Sequence, residues 1–113
     1  MNGARILILG VAYKPDVGDI RESPALDIMG LLREKSANLR YHDPHVPELR
    51  LDGGSLKSVD LTDEELANAD IVVIVTDHSE VDYEHVVAQA HRVYDTRNAT
   101  RNVTANREKI RKL

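Results

Sequence analysis

The chain has 113 residues, a formal net charge of -4 at pH 7 and no cysteine. This length fits one domain, and the acidic balance argues against general binding to nucleic acids or anionic membranes. The lack of cysteine excludes disulfides, thiolate metal sites and a cysteine nucleophile within this chain. No apolar run approaches the ~20 residues of a membrane span, and no secretory signal precedes the first predicted strand, so we expect a cytoplasmic location.

The first elements predicted are a buried strand, a long loop and a helix. Residues 5–9 form a continuous apolar run, which is typical of a strand that is buried on both faces. Residues 10–22 are too polar, and too often interrupted by glycine and proline, for regular structure. Ser23 and Pro24 favour the start of a helix, because serine is a good N-cap and proline suits the first helical turn.

The rest of the chain continues this alternation of strands and helices. Thr62 and Glu65 have the spacing of a capping box, in which each side chain binds the other residue's backbone N–H. In chain order we predict a strand at 39–42, a polar connection at 43–61, a helix at 62–69, a strand at 70–75, a helix at 83–90 and a strand at 92–95. The polar tail at 99–113 is either loose or forms a final helical turn from Asn106 onward.

This order of elements predicts the fold class. Strands with near-continuous apolar runs that alternate with helices are typical of an α/β protein with a doubly wound parallel sheet. We therefore expect a Rossmann-like sheet of about four to five strands in a single domain.

In such sheets, ligands bind beyond the carboxyl ends of the strands. Three cations fall in the loops that follow predicted strands: Lys14, Arg21 and Arg97. Positive charge at this edge of an otherwise acidic chain indicates an anion site, and a phosphate-bearing nucleotide would suit it. The loops concerned are 10–22, 43–47, 76–82 and 95–98.

Other common sites are not predicted. The first strand is followed by Gly-Val-Ala-Tyr-Lys rather than Gly-x-Gly-x-x-Gly, so a complete dinucleotide fingerprint is missing. Asp43 could imitate the ribose-binding acid of dinucleotide folds, but without the glycines we interpret it as a turn residue. The five histidines lack the spacing of a helical zinc site, so we expect no metal site. No residue of this chain is predicted to be catalytic.

Three segments together resemble a known family. They are GVAYKPDVGDIRESPA at residues 10–25, YHDP at residues 41–44 and VYDTRN at residues 93–98. They resemble the C-terminal domain of the UDP-glucose/GDP-mannose dehydrogenase family, over a stretch from about Ala4 to Asn98. Within that family, these segments are most similar to those of the branch that acts on UDP-N-acetylhexosamines.

The resemblance implies a role within a larger enzyme. In that family the C-terminal domain holds the UDP part of a UDP-sugar, an N-terminal domain binds NAD, and a central helical region forms a homodimer. The sugar C6 alcohol is oxidised to a carboxylate in two hydride transfers, through a thiohemiacetal on a cysteine that lies upstream of this domain. The chain would then be an excised domain whose partners are the UDP-sugar and the missing domains, and it would be inactive alone.

The resemblance also implies roles for four residues. Tyr13 and Lys14 match an aromatic-lysine pair that contacts the nucleotide sugar, and Arg97 matches an arginine on the UDP moiety. Arg21 matches an arginine that reaches the NAD of the other domain. An alternative is a standalone nucleotide-binding or regulatory module without chemistry; Arg21 favours the dehydrogenase domain, because it makes sense opposite a cofactor domain.

Overall fold

Five parallel strands form the central sheet in the part of the chain that the structure describes. This structure is a computed structural model, and it describes residues 4–11, 29–31, 38–51 and 54–112. Its strands, in chain order, are β1 (Arg5–Leu9), β2 (Asn38–His42), β3 (Glu48–Leu51), β4 (Gly54–Lys57), β5 (Ile71–Ile74), β6 (Val93–Asp95) and β7 (Ile110–Lys112). The sheet has the order β2-β1-β5-β6-β7, with every neighbouring pair parallel. The predicted Rossmann-like, doubly wound parallel sheet is confirmed.

Both faces of the sheet are buried, as the apolar run of β1 predicts. Successive side chains of a strand point to opposite faces. Leu7 and Leu9 accordingly join one apolar cluster, while Ile6 and Ile8 join another, and all four are at most 2% exposed. The first cluster includes the buried helical residues Leu66, Val86 and Val87; the second includes Met29, Tyr41 and Leu49.

Two short helices cover the first of these faces, α1 (Asp63–Asn68) and α2 (Tyr83–Gln89). Thr62 caps α1, since its hydroxyl accepts a hydrogen bond of 3.1 Å from the backbone N–H of Glu65. The reciprocal half of the predicted capping box is wrong, because the Glu65 carboxylate binds Arg40 instead and Thr62 N–H donates to Asp60 O. None of the helices in the described ranges has the length and apolar character that a membrane crossing requires.

The structure corrects the predicted connection at 43–61. An antiparallel hairpin of β3 and β4 lies within it. Leu49 is fully buried beside Tyr41, so the hairpin closes one end of the second apolar cluster. The prediction failed because each strand has only four residues, too few for a clear periodic signal.

The predicted tail is not loose in its described part, residues 99–112, and the helical turn expected from Asn106 onward is a 3₁₀ turn. Ala99 and Val103 are buried in the first apolar cluster. A 3₁₀ turn at Arg107–Lys109 then leads into β7, which pairs with β6. The segment is ordered because two apolar side chains and the ladder of a fifth strand hold it against the sheet.

Candidate functional site

The loops that follow β1, β2, β5 and β6 meet at one side of the sheet. We call this side the carboxyl edge and define it by residues 10–11, 43–46, 75–78 and 95–101. Gly10 allows the loops after β1 and β5 to touch there, with a left-handed φ of 84°. A Cβ on Gly10 would lie 2.6 Å from Thr76 Cβ and from Thr76 O, a distance that no side chain tolerates. The edge is therefore closely packed at its centre.

A buried carboxylate joins three of these loops. Asp43 is 2% exposed, and its Oδ2 accepts hydrogen bonds of 2.8 Å from Val11 N–H and 2.9 Å from His78 Nε2. Its Oδ1 accepts a bond of 2.8 Å from His45 N–H, and a turn closes from Val46 N–H to Asp43 O. The interpretation of Asp43 as a turn residue is confirmed, and its carboxylate is engaged inside the protein.

The negative charge of the Asp43 carboxylate determines which ring nitrogen of His78 carries a proton. Burial alone would raise the pKa of Asp43, but the hydrogen bonds from Val11, His45 and His78 outweigh it and hold the pKa below its usual value. An ionised carboxylate only accepts hydrogen bonds, so His78 must carry a proton on Nε2. The His78 ring also packs against His45, with 4.9 Å between ring centroids. His78 thus fastens the loop after β5 to the loop after β2.

A second buried carboxylate organises the loop after β6. Asp95 is 1% exposed, and its Oδ1 accepts from the backbone N–H groups of Arg97 and Ala99 at 3.0 and 3.1 Å. Its Oδ2 accepts from Thr100 N–H at 2.8 Å and from Thr100 Oγ1 at 2.6 Å. Burial would raise the pKa of Asp95, but these bonds, those from Thr100 foremost, keep it below its usual value. The loop is wound around this carboxylate.

Arg97 is held at its base while its outer nitrogens remain available. Its backbone N–H binds Asp95, and its Nε donates to Val75 O at 2.9 Å. No residue within the described ranges bonds its two terminal nitrogens, and the side chain belongs to an exposed residue. Arg101 differs, since its Nη1 binds Asp77 Oδ2 at 2.9 Å and Asn98 O at 3.0 Å. The carboxyl edge thus presents one oriented guanidinium to a ligand.

Among the predicted site residues, only Arg97 can be compared with the structure. Tyr13, Lys14, Arg21 and the helix cap at Ser23 lie outside the described residues. Sequence reasoning did not find His78, Thr100 or the bracing role of Asp95. Asp95 belongs to the VYDTRN segment at residues 93–98, which the sequence makes recognisable. The contact of His78 with Asp43 spans 35 positions and leaves no local signal.

The described carboxyl edge does not fit the pyrophosphate of a dinucleotide. In dinucleotide folds, backbone N–H groups after the first strand face the phosphates. Here Gly10 N–H donates to His42 O at 2.9 Å and Val11 N–H donates to Asp43. Both donors are engaged, so neither is available to an anion at this edge, whereas the Arg97 side chain is. Within the described ranges, no group of three His, Cys, Asp or Glu residues could hold a metal ion.

Two clefts differ in their suitability for a ligand. One, of about 230 Å³, lies at the carboxyl edge between residues 77–84 and 99–103. A larger one, of about 380 Å³, lies at the opposite edge beside Arg5 and Arg40. There both arginines are already paired, with Asp70 and Glu65. Strand polarity favours the carboxyl edge over the larger cleft, but Arg97 lies outside the lining of the smaller cleft.

The sequence is similar to one family along most of its length. The model of the UDP-glucose/GDP-mannose dehydrogenase family, UDP binding domain, matches residues 7–102. The UDP-N-acetyl-D-mannosamine dehydrogenase of Campylobacter jejuni is 36% identical over 81 residues, which are 69% of this chain and 20% of that protein. UDP-glucose 6-dehydrogenase 1 of Glycine max is 51% identical over 49 residues, which are 42% of this chain and 10% of that protein.

Solved structures of similar proteins share the fold. A UDP-D-ManNAc dehydrogenase from Pyrococcus horikoshii superposes with a TM-score of 0.66 at 32% identity, covering 87% of this chain and 22% of that one. The UDP-N-acetyl-mannosamine dehydrogenase from Staphylococcus aureus gives a TM-score of 0.68 at 30% identity, covering 99% of this chain and 26% of that one. The chain thus spans about a fifth to a quarter of these relatives.

Proposed function

Because the chain belongs to the UDP-glucose/GDP-mannose dehydrogenase family, as its UDP binding domain, we propose that it holds the UDP part of the substrate in an NAD-dependent nucleotide-sugar 6-dehydrogenase. Such an enzyme oxidises the sugar C6 alcohol to a carboxylate. Other domains would bind NAD and form the homodimer, since the chain spans only 20% of a curated relative.

The orientation of Arg97 is the observation that carries this proposal. A guanidinium stays charged at every physiological pH, and its planar fork matches the oxygens of a diphosphate. Bonds to Asp95 and Val75 O fix the base of the side chain, while no residue in the described part of the chain bonds its terminal nitrogens. Less conformational entropy is lost on binding when the donor is already oriented.

Three further residues complete the proposed site by resemblance. Lys14 would neutralise part of the diphosphate charge, and Tyr13 would contact the nucleotide sugar beside it. Arg21 would serve NAD, which is bound mainly by another domain. The described residues are consistent with this division, because Gly10 N–H and Val11 N–H donate to His42 O and Asp43 and do not face a phosphate as they would in a dinucleotide fold.

A UDP titration of the isotope-labelled chain tests the proposal. We expect the amide signals of residues 10–16 and 95–98 to shift, with a Kd on the order of 1 mM because much of the enzyme's site is absent. Arg97→Gln should weaken binding about tenfold. Arg101→Gln is the matched control: it removes the same charge from the same loop, but that arginine is paired with Asp77.

The control should change the Kd by less than about twofold, because Arg101 is already paired with Asp77. Both variants remove one positive charge and alter the long-range field equally, so the difference between their Kd values reports the contact made by Arg97. Equal effects of the two substitutions would contradict the role of Arg97. Shifts confined to the opposite edge, beside Arg5 and Arg40, would contradict the whole assignment.

A further inference from the structure

The segment at 103–112 lies beyond the family match, which ends at residue 102, yet it contacts the loop that carries Arg97. We propose that Arg107 is a positioning residue that holds this loop, and through it Arg97, in the orientation that binds the diphosphate. The proposal rests on the proposed function of Arg97. It assigns a binding role to a segment whose own side chains need not touch the ligand.

Arg107 grips the loop at two backbone carbonyls. Its Nη1 donates to Thr100 O at 3.0 Å and to Val103 O at 2.6 Å. Carbonyls that receive charged donors at such distances are held more strongly than in ordinary neutral bonds. Arg107 therefore fixes the far end of the loop that begins at Asp95.

Thr100 carries this constraint toward Arg97. It is fully buried, and its hydroxyl and backbone N–H both bind Asp95 Oδ2. The other oxygen of Asp95 accepts the backbone N–H of Arg97. A shift of Thr100 would reorient the carboxylate, and the carboxylate would then move the backbone from which the Arg97 guanidinium extends.

A second contact from the same segment holds the residue next to Arg97. Lys112 Nζ donates to Asn98 Oδ1 at 2.5 Å. Asn98 has a left-handed φ of 57°, a conformation that asparagine tolerates better than most residues but that still needs support. β7, which carries Lys112, is itself paired with β6 at Asp95.

Lys109 supplies a matched control for Arg107. Both residues lie in the same 3₁₀ turn, and both donate to backbone carbonyls. Lys109 Nζ, however, binds Val87 O and Ala88 O in α2, not the loop of Arg97. Arg107→Met and Lys109→Met thus remove the same charge and comparable support, from different parts of the molecule.

The experiment measures UDP affinity and thermal stability for these two variants, with Arg107→Lys and Thr100→Val. We expect Arg107→Met to raise the Kd for UDP about fivefold, and Lys109→Met to change it less than about twofold, at similar losses in melting temperature. Arg107→Lys should recover most of the affinity because it restores a charged donor. Thr100→Val, which removes only the hydroxyl bond to Asp95, should weaken binding in the same direction.

The ligand-free protein provides a readout that does not depend on UDP. Arg107→Met should shift the Nε–H signal of Arg97 and speed its hydrogen exchange, whereas Lys109→Met should leave both unchanged. If UDP binds through Arg97 but Arg107→Met behaves like Lys109→Met in affinity and in this signal, the positioning role is wrong. If the unmodified chain does not bind UDP, the proposed function fails, and the Arg97 signal alone then decides whether Arg107 orients it.

Discussion

Two carboxylates, Asp43 and Asp95, hold the loops of the carboxyl edge from inside the protein. Each is almost fully buried and accepts three or more hydrogen bonds. Most of the donors are backbone N–H groups of loop residues. Donors placed around a buried carboxylate stabilise its charged form and offset the cost of desolvation. The loops of the proposed site are therefore organised around fixed negative charge, although the proposed ligand, UDP, is itself an anion.

The depressed pKa values of Asp43 and Asp95 predict loss of stability in acid. Both lie below the usual value of 3.8 in the folded protein, so the unfolded chain binds more protons. The stability they contribute is complete above that pH and is lost as the pH falls through the lower, folded-state values. Urea unfolding at steps from pH 6 to pH 2 should show this decline.

Asp43→Asn should lower the free energy of unfolding at pH 6 and flatten its decline in acid. Asp70→Asn is the comparison: the pKa of Asp70 is also lowered, mainly by the backbone N–H of Arg5, but this carboxylate is exposed and screened by solvent. Its effect on the slope should be smaller. An unchanged slope in Asp43→Asn would show that this carboxylate is not a source of the pH dependence.

Removal of the histidine partner of Asp43 should also be costly. His78→Leu leaves the carboxylate buried with one donor fewer, and we expect it to reduce the free energy of unfolding by about 1.5–3 kcal/mol. His78→Gln should cost less, because its amide can donate to Asp43 from a similar position. Urea unfolding of both variants distinguishes a lost hydrogen bond from lost packing volume. If packing volume dominated, His78→Leu would reduce the free energy of unfolding less than His78→Gln.

At the scale of elements, the start of α1 depends on one side chain. Thr62 caps the helix, whereas Glu65 binds Arg40 and does not return to the Thr62 backbone. Thr62→Ala should therefore lower the free energy of unfolding by about 0.5–2 kcal/mol. Glu65→Gln should cost less than about 1 kcal/mol, since it only weakens an ion pair whose Arg40 side chain is 60% exposed. If urea unfolding gave equal losses for Thr62→Ala and Glu65→Gln, the reciprocal capping box would be present after all and this prediction would be wrong.

The elements differ in how far the sequence predicts them. β1 and β5 were predictable because their apolar runs record burial on both faces. β7 was not, because Ile110 is its only apolar residue and its pairing depends on β6, which the local sequence does not encode. The same holds at the site: Arg97 lies in a recognisable motif, whereas the supports from His78 and Arg107 come from other parts of the chain.

At the scale of the whole molecule, a substrate-holding domain should bind without catalysing. The 113 residues contain no cysteine, and the Gly-x-Gly-x-x-Gly fingerprint of a dinucleotide site does not follow the first strand. We expect the purified chain to produce no NADH from NAD with any UDP-sugar, as measured by the absorbance of the reduced nicotinamide. The positive control is a full-length relative under the same conditions; turnover by the chain alone would contradict its assignment as a binding domain.

The parallel pairing of β6 with β7 has a consequence for the order in which the protein matures. A parallel neighbour cannot follow directly after a tight turn, so β6, which pairs with β5 on one side, lacks its second neighbour until β7 is made some fifteen residues later. During synthesis Arg97 emerges before Arg107 and Lys112, at a rate of about 5–20 residues per second. For that interval the ligand loop has its motif but not its supports. A nascent chain that has emerged only to residue 102 should therefore contain the whole family match and still lack a competent nucleotide site.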